Sequence, residues 1–152
     1  GPFGGSNRFD WASGATGAGI LNAGGYTVTF DWTPSANTGT QWVSFQVGTV
    51  NADSGNLTND DYGILFRQNG DTERWDNGVN LGAGGAFPAT STSRSVEINY
   101  AFSSFADGSN VTATSTIDGV QIASDTFTWD SNVGEMRMEL GAREGLFASA
   151  SE

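Results

Sequence analysis

The 152-residue chain contains no cysteine, no histidine and no lysine. Each absence removes a class of chemistry. Without cysteine there is no disulfide framework, no thiolate zinc site and no sulfur nucleophile. Without histidine there is no Ser-His-Asp triad and no imidazole ligand for a metal. Without lysine there is no Schiff base and no P-loop lysine. Six arginines face 17 carboxylates, a formal net charge of −11. That excess repels phosphate backbones and anionic headgroups, so neither nucleic acid nor a membrane is an expected partner. No run approaches the ~18 apolar residues of a spanning helix. Carboxylates, hydroxyls, amides, arginine, aromatic rings and a bound metal remain as the means of function.

What is present points to β structure. Glycine numbers 22 and aromatic residues make up 12% of the chain, a mixture of turn formers and strand formers. Apolar residues alternate with polar ones at Tyr26/Val28/Phe30/Trp32, Val43/Phe45/Val47, Val96/Ile98/Tyr100/Phe102 and Met136/Met138/Leu140. A period of two marks half-buried strands. Further strands are expected at 7–12, 62–68, 72–77, 110–117 and 120–129, and no window supports a long helix. Asn69-Gly70 and Asp118-Gly119 read as type I′ hairpin turns, since both residues of each pair tolerate positive φ. Asp107-Gly108 joins two more strands, making 93–129 a three-stranded meander. Many short strands joined by tight turns predict a two-sheet antiparallel β-sandwich. One domain is expected over 3–152, with Gly1-Pro2 read as a protease-cleavage scar, and the domain is expected to be monomeric. The acidic, lysine-free composition suits a secreted or cell-surface protein kept soluble by its charge.

One loop is unusually rich in oxygen. Asn51-Ala-Asp-Ser-Gly-Asn-Leu-Thr-Asn-Asp-Asp61 offers carboxylates and amides of the kind that Ca²⁺ gathers six to eight at a time. Asn51, Asp53, Asp60 and Asp61 are the candidate ligands there, and Asp130 is a second candidate position. The spacing is not that of an EF-hand, because the sixth position lacks glycine and the twelfth is Tyr62. A solvated acidic loop is the alternative.

The tryptophans divide by parity. Trp32 continues an apolar stripe and Trp129 follows Phe127, so both are expected in the core. Trp42 shares a face with Ser44 and Gln46, and Trp75 shares one with Glu73. A flat ring on a polar face is a good platform for the apolar side of a pyranose. Two patches follow: Trp42 with Gln46 and Glu139, and Trp75 with Arg67 and Arg74 at a hairpin rim. Arginine beside tryptophan suits the carboxylate or sulfate of an acidic glycan, and it equally suits two surface cations balancing Asp71, Glu73 and Asp76.

The strings Asp61-Tyr-Gly-Ile-Leu-Phe-Arg-Gln-Asn-Gly70, Trp75-Asp-Asn-Gly78, Val96-Glu-Ile-Asn-Tyr-Ala-Phe102, Ala106-Asp-Gly-Ser109 and Ser115-Thr-Ile-Asp-Gly-Val120 carry a resemblance over most of residues 26–140. In this order they resemble the concanavalin A-like lectin/glucanase superfamily, in its LamG-like branch of bacterial secreted proteins. The resemblance implies a jelly roll, saccharide binding on one face or rim, and a structural calcium. The glucanase branch carries Glu-x-Asp-x-Glu; here the string is Glu135-Met-Arg-Met-Glu139, with Arg137 in place of the central acid. Four residues along a strand also separate the outer acids by roughly 13 Å, beyond the span of a glycosidase pair. Arg137 and Glu139 are read either as a polar sugar platform, hydrogen-bonding ring hydroxyls, or as a solvated face on which the arginine is flanked by acids. The expectation is a non-catalytic carbohydrate-binding module for a polysaccharide, acidic and algal types included, in a multidomain protein. A structural or adhesive spacer domain is the runner-up, and a glucanase-like or lyase-like enzyme is third.

Overall fold

The computed structural model describes residues 7–10, 24–34, 38–39, 41–48, 61–104, 108–129 and 137–142. For 7–10 and 137–142 the backbone pairing alone is described. The described residues form ten strands: β1 (Asn7–Asp10), β2 (Gly25–Trp32), β3 (Trp42–Gly48), β4 (Tyr62–Arg67), β5 (Thr72–Asp76), β6 (Val79–Ala83), β7 (Arg94–Phe102), β8 (Asn110–Ile117), β9 (Val120–Thr128) and β10 (Arg137–Ala142). They form a six-stranded sheet in the order β1-β10-β3-β4-β5-β6 and a four-stranded sheet in the order β2-β7-β8-β9. Every pairing is antiparallel. The described residues form the all-β, two-sheet antiparallel sandwich that the alternation predicts and the jelly roll that the resemblance implies.

The alternating residues meet between the sheets. Val43, Phe45, Val47, Tyr62, Ile64 and Phe66 from the larger sheet pack against Phe30, Trp32, Val96, Ile98, Tyr100, Val111, Ile117 and Phe127 from the smaller. Rings cross the interface in pairs: Tyr62 stacks on Phe127 at 5.0 Å and Phe30 on Phe45 at 6.3 Å. Trp32 and Trp129 are buried in this core as expected. The register sets Met138 opposite Val47 and Leu140 opposite Phe45, which gives those two positions the parity of the core face.

The turns differ from expectation in one instructive place. Asp118-Gly119 has both residues at positive φ, 50° and 78°, as a type I′ turn requires. So does Asn77-Gly78, at 47° and 80°, which connects β5 to the unforeseen strand β6. At Asn69-Gly70 only Gly70 is left-handed, at 89°. There Gly70 N–H donates to the Arg67 carbonyl at 3.0 Å and Arg67 N–H to the Asp71 carbonyl at 2.8 Å. The hairpin is a three-residue loop closed by a left-handed glycine, not the two-residue turn that the dipeptide suggests. Gly70 is also held from outside, since an added Cβ would lie 2.1 Å from the Phe87 carbonyl oxygen.

The two outer faces differ chemically. That of the four-stranded sheet is hydroxyl-rich, with Thr112 bonded to Thr126 at 3.0 Å, Thr114 to Ser124 at 3.3 Å and Asn99 to Thr27 at 2.9 Å. The outer face of the six-stranded sheet holds tryptophan, arginine and glutamate. Its β6 edge is blunted by a bulge opposite Arg74/Trp75 and by a bond from Gly82 N–H to Asn80 Oδ1 at 2.6 Å, both of which hinder pairing with another strand.

Candidate functional site

Strand parity builds the outer face of the six-stranded sheet. On β3 the residues opposite in parity to Val43, Phe45 and Val47 are Trp42, Ser44 and Gln46. On β4 they are Gly63, Leu65 and Arg67, and on β5 they are Glu73 and Trp75. Register then aligns them in rows. Trp42 faces Arg67, Ser44 faces Leu65, and Gln46 faces Gly63. Leu65 faces Glu73 and Gly63 faces Trp75, while Trp75 faces Asn80 on β6. On the other side of β3, Glu139 faces Gln46 and Arg137 faces Gly48. Thus the two patches expected from the sequence are one continuous face, with Trp42 and Trp75 set roughly 13 Å apart along the strands and about 10 Å across them.

A hydrogen-bond chain crosses this face between the tryptophans. Arg67 Nη2 donates to Glu73 Oε2 at 2.5 Å, and Asn80 Nδ2 donates to Glu73 Oε1 at 2.7 Å. The Asn80 side-chain oxygen, Oδ1, accepts Gly82 N–H. One residue from each of β4, β5 and β6 therefore fixes the next. A carboxylate held by two donors keeps its remaining lone pairs oriented, which is the preorganisation a polyhydroxyl ligand needs. Trp42 and Trp75 are each half-buried, while Ser44, Gln46 and Leu65 lie out of solvent contact.

Two predicted residues are placed otherwise than expected. Arg74 does not join Trp75 at the hairpin rim. As its neighbour in sequence it takes the opposite face of β5, where Nη1 donates to Asp125 Oδ1 at 2.5 Å and Nη2 to the carbonyls of Leu81 and Ala83. Asp125, on β9 of the other sheet, also accepts the Tyr62 hydroxyl on Oδ2 at 2.8 Å. Arg74 thus belongs to a clasp between the sheets. Burial first, and the Asp125 carboxylate second, push the Tyr62 phenol well above its ordinary range and keep it a donor. The same two causes, in the same order, raise Asp76. Gln46 has the predicted parity but is fully buried, so it is not the exposed patch residue that the sequence suggests. Its Nε2 donates to Ser44 Oγ at 3.1 Å.

Glu73 and Asn80 were not among the predicted site residues. The alternation of Thr-Glu-Arg-Trp, which puts Glu73 beside Trp75, was the available signal for the first. The second lies on a strand too short and bulged to announce itself. Of the calcium candidates, Asn51, Asp53, Asp60 and Asp130 lie outside the described residues. Asp61 is buried, and its carbonyl accepts Asn77 N–H at 3.1 Å. Among the described residues there is no cluster of three or more carboxylates that could hold a metal ion.

No protein-family model and no curated protein matches the chain. Among solved structures it is similar to a tetrameric galectin from the ball sponge Cinachyrella sp., at 12% identity over 95% of this chain and 93% of that one, with a TM-score of 0.52. Sheep galectin-11, in complex with glycerol, aligns at 8% identity over 95% of each chain with a TM-score of 0.45. The likeness to the sponge protein is one of fold. What the two chains share is a two-sheet antiparallel β-sandwich.

Proposed function

We propose that this chain is a non-catalytic, lectin-like carbohydrate-binding domain that takes a polysaccharide on the outer face of its six-stranded sheet. The observation that carries the proposal is the Arg67–Glu73–Asn80 chain lying between Trp42 and Trp75. Flat rings supply stacking and the fixed carboxylate supplies hydrogen bonding, on strands rather than loops. The lectin-type fold supports the reading. The separation of the two tryptophans suits an oligosaccharide segment rather than one ring. Membership of a secreted or surface multidomain protein of the LamG-like type, and a structural calcium in the 51–61 loop, belong to the same proposal and rest on the sequence.

Affinity electrophoresis against neutral and acidic polysaccharides tests it, with Trp42→Ala, Trp75→Ala and Trp32→Ala in parallel. Either outer tryptophan variant should lose about 1–3 kcal/mol of affinity, the scale of stacking on an aromatic ring, with little change in melting temperature. Trp32→Ala should instead lose about 3–5 kcal/mol of stability, as a core deletion does. Undiminished retardation in both outer variants would move the site elsewhere. Retardation by no polysaccharide would favour the spacer reading.

A further inference from the structure

The two sheets end unequally on one side of the sandwich. Tyr62 of β4 stacks on Phe127 of β9, and Arg74 of β5 reaches Asp125 of β9, so β4 and β5 stand over β9. The larger sheet continues past β5 into β6, whereas the smaller ends at β9. Neighbouring strands lie about 4.8 Å apart and packed sheets about 10 Å. β6 therefore overhangs the place that a fifth strand of the smaller sheet would take, and among the described residues no strand occupies it.

Both walls of this corner are unfinished. Val79 pairs with Asp76, and Asp76 shares the inner face of β5 with Arg74. Val79 is 62% exposed. Asp76 feels the charge of Asp125, yet makes no hydrogen bond or ion pair of its own among the described residues. Asp125 gives one oxygen to Arg74 and the other to Tyr62, so Asp76 is the carboxylate here that lacks a cation. On β9, Trp129 N–H donates to the Ser109 carbonyl at 2.8 Å, which sets the phase of the ladder with β8. Asp125 and Phe127 turn their backbone groups inward to β8, while Ser124, Thr126 and Thr128 turn theirs to the open edge. All of the latter are exposed. The edge already accepts a backbone donor further along, since the Ile122 carbonyl takes Gly85 N–H at 2.6 Å. From Ala123 to Thr128 the ladder is regular and carries no guarding bulge, unlike that of β6.

We propose that the β9 edge beneath β6 receives an extended basic segment of a partner protein as a fifth strand of the smaller sheet. Its backbone pairs with Ser124, Thr126 and Thr128, the mode of strand addition in which main-chain bonds give affinity and alternate side chains give specificity. One inward arginine or lysine serves both walls: its aliphatic stem covers Val79 and its charged head reaches Asp76. The outward residues extend the Thr112–Thr126 and Thr114–Ser124 hydroxyl rows. Charge selects the occupant. The chain carries a net −11, so a second copy would set acid against acid at this corner, whereas a basic segment is drawn to it. The proposal does not depend on the glycan reading.

The test is fluorescence anisotropy on the intact chain. The probe is a short, labelled, capped peptide alternating threonine with valine around a central arginine. One control replaces the arginine by glutamate, and another methylates every second backbone amide. The arginine peptide should bind and both controls should fail. Asp76→Asn should weaken binding by about tenfold or more, the loss expected of a hydrogen bond to a charged group, without lowering the melting temperature. Thr126→Pro removes one outward N–H, which an edge strand tolerates, and should weaken binding to a similar degree; the methylated peptide reads the same pairing with the fold untouched. Equal binding of the arginine and glutamate peptides, binding of the methylated peptide, or binding undiminished in Asp76→Asn overturns the proposal. So does binding of no peptide, including the case in which sedimentation shows a dimer that Thr126→Pro dissociates, since the edge then belongs to a second copy.

Discussion

Removing Asp125 should loosen the sandwich more than replacing the whole cluster it serves. Its carboxylate holds Tyr62 of β4 and Arg74 of β5 from across the core. Asp125→Ala leaves the fully buried Tyr62 with a hydroxyl that has lost its acceptor. An orphaned donor of that kind costs about 1–3 kcal/mol. It also leaves Arg74, whose side chain is 19% exposed, without its counter-charge. Breaking a buried pair from one side costs roughly 3–5 kcal/mol. Two effects pull toward the lower figure: Arg74 keeps the carbonyls of Leu81 and Ala83, and Asp76 loses a like-charged neighbour. The expected loss is about 3 kcal/mol, equivalent to roughly 6–12 °C in a domain of this size. The triple variant Tyr62→Phe, Arg74→Met, Asp125→Leu removes every group that would be orphaned, and apolar replacements of buried ion pairs are often neutral. It should lie within about 1 kcal/mol of the parent. Calorimetry at pH 7 on the parent, the single and the triple variant decides the matter. A single variant as stable as the parent, or a triple variant no better than the single, refutes the argument that the orphaned groups set the cost.

Gly70→Ala combines a left-handed φ of 89° with a Cβ 2.1 Å from a backbone oxygen, so urea denaturation should show a loss of about 3 kcal/mol or more; a loss under 1 kcal/mol would contradict the clash. Asp76 holds its proton more tightly folded than unfolded, so its stabilising effect is complete below the ordinary carboxylate range and is lost as pH rises through its raised folded value. Asp76→Asn should therefore match the parent near pH 3 and exceed it at pH 7, read from melts at both, and equal stability at pH 7 counts against the desolvation and Asp125 repulsion. Asp118 is lowered, first by Ser95 N–H and then by Arg94, so its contribution is present above the ordinary range and fades as pH falls through the depressed value; Asp118→Asn should lose stability at pH 7 and converge with the parent in acid. Calcium in the 51–61 loop predicts a lower melting temperature in EDTA, because a metal bound only to the folded state stabilises it, and an unchanged melt with no metal by elemental analysis removes it.

The strands were legible because their alternation is tight. Val96-Glu-Ile-Asn-Tyr-Ala-Phe102 buries every second residue along β7, and β8 does the same from Val111 to Ile117. β6 escaped the same reading. Val79-Asn-Leu-Gly-Ala83 is exposed throughout, so no buried face imposes a pattern on it, and a bulge interrupts its pairing with β5. The turn at Asn69-Gly70 was misread for a different reason. Dipeptide chemistry says which φ values are affordable, but loop length is set by where the flanking strands pair, and here Arg67 pairs with Asp71.

The site was half legible, and the two halves separate along a physical line. Parity is local, so it correctly put Trp42 and Trp75 opposite the core-facing residues of their strands. Applied strictly, parity also forbids Arg74 from accompanying Trp75, because adjacent strand residues point to opposite faces; grouping the two by nearness in sequence ignored that constraint. Which rows align is not local. That Gly63 sits between Gln46 and Trp75, or that Glu73 draws donors from both β4 and β6, depends on register fixed by hairpins and by the packing of the other face. Burial of an outward-parity residue is less local still. Gln46 has the polarity of a solvent residue and the accessibility of a core one, and that combination exists only once the sheet is assembled and Ser44 Oγ stands within reach of its amide.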